Sequence, residues 1–204
     1  VGQVADRLEK ALVYRLAQPR PGESALDVGT GTGHWACDLA RRGLRVTACD
    51  SSEAMLRVAR GTGENIVWQR AEAEALPYPS DSFDLVLSVT ALEFVRDPAR
   101  ALDEMWRVVS PNGRLVVAVL NANSSWGRTY KRAAEQQDTP FRHAHFFSPA
   151  EFVAMLGRYG RPRWNSAVFF DPLGRDLALA DLWEKLGQIF CRGRGALLVG
   201  RVDK

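Results

Sequence analysis

Short apolar runs alternate with helix-forming stretches along most of this chain, and that alternation restricts its fold more than any other feature. The helical spacing of Val4, Leu8, Ala11, Leu12 and Leu16 predicts a first helix over 2–17, closed by the breaker Pro19–Gly22. SALDV and LRVTAC then read as buried strands on either side of a helix that closes at Gly43. The pattern repeats with a helix over 52–60, a strand near 66–69 and the strand FDLVLS. Asp97 and Pro98 give the next helix an N-cap and an N1 proline, and Gly113 opens the strand GRLVVAVL. Five strands separated by helices predict a doubly wound parallel α/β sheet with helices on both faces. Toward the end of the chain Ser148 and Glu151 make a capping-box pattern, followed by WNSAVFF, a helix over 177–189 and ALLVGRV. These last two strands are expected to form an antiparallel edge pair, giving seven strands in all.

With 204 residues, 46% of them hydrophobic, the chain suits one domain over 1–204 rather than two. The net charge of +3 is spread among interspersed acids and bases, so no nucleic-acid partner is expected, and the local cluster Arg158, Arg161 and Arg163 reads as solvated surface. Three cysteines without CxxC or zinc spacing predict neither a disulfide framework nor a metal site. No apolar run approaches the roughly 18 residues of a spanning helix, so a cytoplasmic protein without a membrane partner is expected.

The first strand ends in LDVGTGTGHW, with Gly29, Gly31 and Gly33 at alternate positions. In an open α/β sheet this is the ligand-binding switch point, where a loop free of Cβ atoms lets a ligand approach backbone and helix N–H groups. A dinucleotide fingerprint needs a third glycine where this chain has His34, which weighs against a nicotinamide oxidoreductase. Asp50, ending the second strand, can accept both hydroxyls of a ribose, or it can cap the next helix together with Ser51. Glu72, after the third strand, could take an adenine amino group.

In order, ALDVGTGTG, VTACDSSEAML, AEAEALPYPSDSFDLVLS and DPARALDEMWRVVSPNGRLVVAVLN resemble the class I S-adenosylmethionine-dependent methyltransferases, in particular the small group similar to ubiquinone/menaquinone-biosynthesis methyltransferases. The likeness is close over 25–121 and looser beyond. It implies a Rossmann-like sheet, S-adenosylmethionine as cofactor, S-adenosylhomocysteine as product and a small organic methyl acceptor as partner. It also implies that Asp27 and the Gly29–Gly33 loop hold the methionine part, Asp50 the ribose and Met55 the adenine face. Ala73 would offer its N–H to the ring beside Glu72, and Ser88 would pass beneath the sulfonium. A non-catalytic module that only binds the cofactor is the alternative reading.

Methyl transfer needs an aligned acceptor and excluded water, with a base only where the acceptor must lose a proton. His143 and His145 in FRHAHFF are the candidate bases, with Glu93 and Tyr130 behind them. Trp35, Trp126, Phe146 and Phe147 are candidate acceptor-pocket aromatics, or plain core. The stretch 121–147, about 27 residues without a clear helix signal, is expected to be an irregular lid on the acceptor side together with the first helix.

Overall fold

The computed structural model describes residues 1–62, 65–136 and 139–204. Its seven strands are β1 (Ser24–Val28), β2 (Arg45–Asp50), β3 (Ile66–Arg70), β4 (Phe83–Val89), β5 (Val109–Leu120), β6 (Arg163–Ala167) and β7 (Leu197–Asp203). They form one sheet in the order β3-β2-β1-β4-β5-β7-β6. The first five run parallel, and β7 lies antiparallel between β5 and β6. The strand order reverses at β1 and β4, which opens a crevice past their carboxyl ends.

Among the described residues the α-helices are α1 (Gly2–Ala17), α2 (His34–Arg41), α3 (Glu53–Ala59), α4 (Pro98–Val108), α5 (Ser125–Gln136), α6 (Pro149–Gly157) and α7 (Ala180–Phe190). Successive strand residues point to opposite faces, so β4 sends Leu85 and Leu87 to one core and Val86 to the other. The first core packs α1, α2 and the start of α7, whereas the second packs α4 and α6. Capping follows the sequence signals: the Asp97 side chain accepts from Arg100 N–H, and Ser148 and Glu151 close a reciprocal capping box.

The carboxyl end of α1 is fixed to the sheet by two arginines. Arg114 of β5 donates to the carbonyls of Ala17 and Gln18 and pairs with Glu23 at 2.6 Å. Arg201 of β7 donates to Leu16 O at 2.8 Å. Charge-assisted donors thus satisfy carbonyls that the helix end leaves open.

The expected irregular lid is different in structure. Residues 125–136 form α5, and Pro140–His143 form a short 3-10 turn; residues 137 and 138 of the segment lie outside the described residues. The two ends of the segment meet in a parallel bridge between Asn121 and Phe147. Asn121 is fully buried, and its amide donates to Gly193 O and Gly195 O at 2.9 and 2.8 Å. At the other late strand, WNSAVFF is extended only as far as Ala167, because Val168 turns to φ 66°.

Candidate cofactor and active site

A cavity of about 700 Å³ opens past the carboxyl ends of β1, β2 and β4. Gly29, Gly31, Asp50, Ser51, Met55, Glu72 and Ala73 all line it. The three glycines of the loop have separate causes. At Gly31 (φ +55°) a Cβ would meet nothing within 4 Å, so the missing side chain leaves open cavity. At Gly29 (φ +72°) a Cβ would stand 2.3 Å from that of Ala91. Gly33 (φ +86°) is closed off by Trp68, 2.6 Å from where its Cβ would be, and does not line the cavity. Only at Gly31 does the missing Cβ face open cavity; at the other two its absence lets the loop pack.

Asp50 ties the loop to the tip of β2. Its Oδ2 accepts Gly31 N–H at 2.8 Å and its Oδ1 accepts Ser52 N–H at 2.9 Å. A carboxylate has about four lone-pair sites, so each oxygen keeps capacity for a hydroxyl from the cavity. The helix cap that Asp50 and Ser51 were candidates for is made instead by the Ser52 hydroxyl, which accepts Met55 N–H at 3.4 Å.

Asp27 and Ser88 lie under the cavity floor rather than on its surface. Both are 1% exposed and neither lines the cavity. Asp27 lies beneath the loop and accepts the Thr30 hydroxyl at 2.6 Å. Burial pushes its carboxyl up to about 6 against the pull of the Thr30 and Ala36 hydrogen bonds. The Ser88 hydroxyl donates to Val28 O at 3.0 Å and so joins β4 to β1. Both residues shape the floor on which the loop rests.

The candidate bases also move. His143 and His145 are exposed and line no part of the cavity. The 3-10 turn ending at His143 breaks the alternation that an extended segment would have had, and the His145 ring packs against Phe147 at 4.6 Å between centroids. Of the expected aromatics, Trp35 lines the cavity, whereas Trp126 donates its indole N–H to Phe170 O at 2.9 Å. Phe146 and Phe147 are buried. Phe94, Phe141, Tyr130 and Trp126 form a chain of ring contacts running from the cavity wall to α5, with centroid separations of 6.3, 4.9 and 6.0 Å.

The stretch VTALEF after Ser88, which the resemblance implies would pass beneath the sulfonium, supplies Val89, Thr90, Ala91 and Phe94 to the cavity wall. Thr90 follows β4 with φ +51°, a strained conformation for a β-branched residue, and its N–H bonds to Ala118 O at 2.8 Å. Ala91, Phe94 and Arg96 enter the cavity wall from the same turn. His34 lines the wall from the first turn of α2, with its Nε2 3.1 Å from Asp6 Oδ1 of α1.

Residues 26–117 match the family described as a methyltransferase domain. A demethylmenaquinone methyltransferase from Clavibacter sepedonicus is 38% identical over 115 residues, 55% of this chain and 47% of that protein. A ubiquinone/menaquinone biosynthesis C-methyltransferase from Zymomonas mobilis is 38% identical over 113 residues, 53% of this chain and 47% of the other. The chain spans about half the length of these curated relatives. Among solved structures, an S-adenosylmethionine-dependent methyltransferase from Thermotoga maritima superposes with a TM-score of 0.73 at 26% identity, covering 97% of this chain and 90% of its own.

Strand order, antiparallel β7, glycine loop and matched sequence together give this chain the fold and sequence pattern of the class I S-adenosylmethionine-dependent methyltransferases, which it resembles. Its sequence relatives include ubiquinone/menaquinone methyltransferases, and the methyltransferase domain match and the fold shared with the Thermotoga protein imply S-adenosylmethionine as cofactor.

Proposed function

We propose that the protein methylates a small organic acceptor admitted beside Trp35 and Phe94, using the cavity past β1, β2 and β4 for the cofactor. The observation that carries this reading is the pairing of Gly31, open above its missing Cβ, with Asp50 at the tip of β2. When bound, S-adenosylmethionine supplies a methyl group already activated on a positively charged sulfonium. The chain's own task is then alignment and exclusion of water, which supports an in-line displacement without a protein nucleophile. Asp50 accepts ribose hydroxyls, Met55 and Ala73 flank the adenine beside Glu72, and the Gly29–Gly31 turn gives room to the amino-acid part. Asp27 and Ser88 keep that turn in place from below. The ring-bearing wall from Phe94 to Trp126 supports an acceptor with substantial apolar surface.

Two results test this assignment. S-adenosylhomocysteine should bind in preference to NAD by calorimetry, and Asp50→Ala should weaken that binding roughly ten- to a hundredfold, the worth of hydrogen bonds to a charged group. Unchanged affinity in Asp50→Ala would reject the ribose contact. A screen of acceptors with labelled methyl donor identifies the partner, and cofactor binding with no acceptor found would favour a binding module. With an acceptor in hand, the double variant His143→Ala/His145→Ala should keep turnover within about twofold of wild type, since neither imidazole reaches the cavity. A hundredfold fall at unchanged cofactor affinity would return proton removal to this pair.

A further inference from the structure

Helix α7 presents a surface that the cofactor cavity does not use. Leu179, Leu182, Trp183, Leu186, Ile189 and Phe190 are between 40% and 77% exposed. At 3.6 residues per turn they share one side of the helix, while Ala180, Glu184 and Gly187 are buried on another. Single exposed apolar residues are ordinary, but six on one helix side form a patch that calls for a partner. The orientation of the helix is fixed: a Cβ on Gly187 would stand 2.3 Å from the Phe169 ring, so α7 seats on that ring and turns the patch outward.

Beside the patch lies a second cavity of about 630 Å³, lined in part by Trp183, Leu186 and Phe190 and also by Arg128 and Arg194. Among the described residues, neither guanidinium has a carboxylate partner: Arg128 donates to Asn123 O at 2.9 Å, and Arg194 makes no side-chain hydrogen bond or ion pair. Nearby acids are committed elsewhere. Asp181 pairs with Arg7, Asp171 with Arg175, and Glu184 accepts the buried Val168 N–H. A second copy packed here would bring four arginines into one interface whose neighbouring acids are already paired. Exposed Trp, Phe, Ile and Leu flanked by unpaired cations instead match the interface of an anionic bilayer.

We propose that α7 and its adjoining cavity dock on a bilayer containing anionic phospholipid, so that the protein lies on a membrane rather than across it. No helix among the described residues is long and apolar enough to span one, and interfacial docking needs none. The patch adjoins the segments after β5 and before β7, at the end of the sheet where the cofactor cavity opens.

The test is co-flotation of the full chain with vesicles of phosphatidylcholine alone or of equal parts phosphatidylcholine and phosphatidylglycerol. Wild type should bind the mixed vesicles about tenfold or more tightly than the neutral ones. Ile189→Glu/Phe190→Glu changes two side chains exposed by 71% and 77%, and should cut binding to mixed vesicles about tenfold or more while thermal melting and S-adenosylhomocysteine binding stay unchanged. Arg128→Glu/Arg194→Glu should remove the preference for anionic vesicles. Absence of wild-type binding, or equal binding by the Ile189→Glu/Phe190→Glu variant, overturns the proposal. So does a solution dimer that this same variant dissolves, which would give the surface to a second copy.

Discussion

Gly31→Val is expected to abolish cofactor binding, with a loss of about a hundredfold or more, in a protein that remains folded. The residue sits at φ +55°, and its missing Cβ faces open cavity rather than protein. A Cβ there meets nothing within 4 Å in the free protein, so the cost to folding is chiefly the left-handed backbone strain, about 1–2 kcal/mol. It does fill the space in which a ligand must approach the loop, and any shift of the strained backbone also moves the N–H that Gly31 gives to Asp50. The neighbouring glycines predict a different outcome. Gly29→Val and Gly33→Val would drive a side chain into Ala91 and Trp68, so these variants should lose stability itself. Calorimetry with S-adenosylhomocysteine beside a thermal melt separates the two classes, and near-wild-type affinity in folded Gly31→Val would remove the loop from the binding site.

That contrast shows how far this sequence could be read. All three glycines look alike in the sequence, because a missing Cβ does not say whether ligand or protein occupies its place. The strands and the antiparallel C-terminal pair were legible, since short apolar runs between helices leave few ways to build a sheet. Helix α5 was not, because SWGRTYKRAAEQ buries little: Trp126 and Tyr130 at i, i+4 are its main apolar pair. Its Gly127 looks like a breaker but is there for packing, as a Cβ would come within 2.1 Å of Asn121 O. The position of the histidines was hidden for a related reason. Alternation in FRHAHFF suggested one extended face, whereas Pro140 opens a 3-10 turn that changes the period. Asp27 and Ser88 were found by resemblance at the right place in the fold, yet burial gives them supporting roles that no residue type reveals.

Glu93 gives the clearest prediction about pH. It stands on the 3-10 turn Leu92–Phe94 and is 1% exposed. One oxygen accepts Leu120 N–H at 2.5 Å, and the other has no partner among the described residues. Its backbone carbonyl accepts His145 N–H at 2.8 Å, so the residue joins the turn after β4 to the end of β5 and to the end of the α5 segment. Burial pushes the carboxyl up to about 7, and the Leu120 bond only partly opposes this. Between the ordinary value of 4.5 and about 7, the folded protein holds a proton that the unfolded chain has released. Stability therefore falls as pH rises through that window and levels off above it, by about 3 kcal/mol from this group alone. Glu9 and Asp27, raised to about 7 and about 6, act with the same sign. Asp84 and Glu104, held low by Ser24 and Arg107, contribute stability that is lost only at lower pH, as pH falls through their folded values. Glu93→Gln isolates the effect, because the amide oxygen can still accept Leu120 N–H and the side chain cannot ionise. Its buried NH2 adds an unpaired donor at every pH, costing about 1–3 kcal/mol, so the informative quantity is the change between two pH values. Urea unfolding near pH 5 and near pH 8 should show wild type losing about 3 kcal/mol more than Glu93→Gln across that interval. Equal losses in the two proteins would mean that Glu93 ionises as freely in the fold as in the unfolded chain, and that the buried latch between β4 and β5 carries no protonation cost.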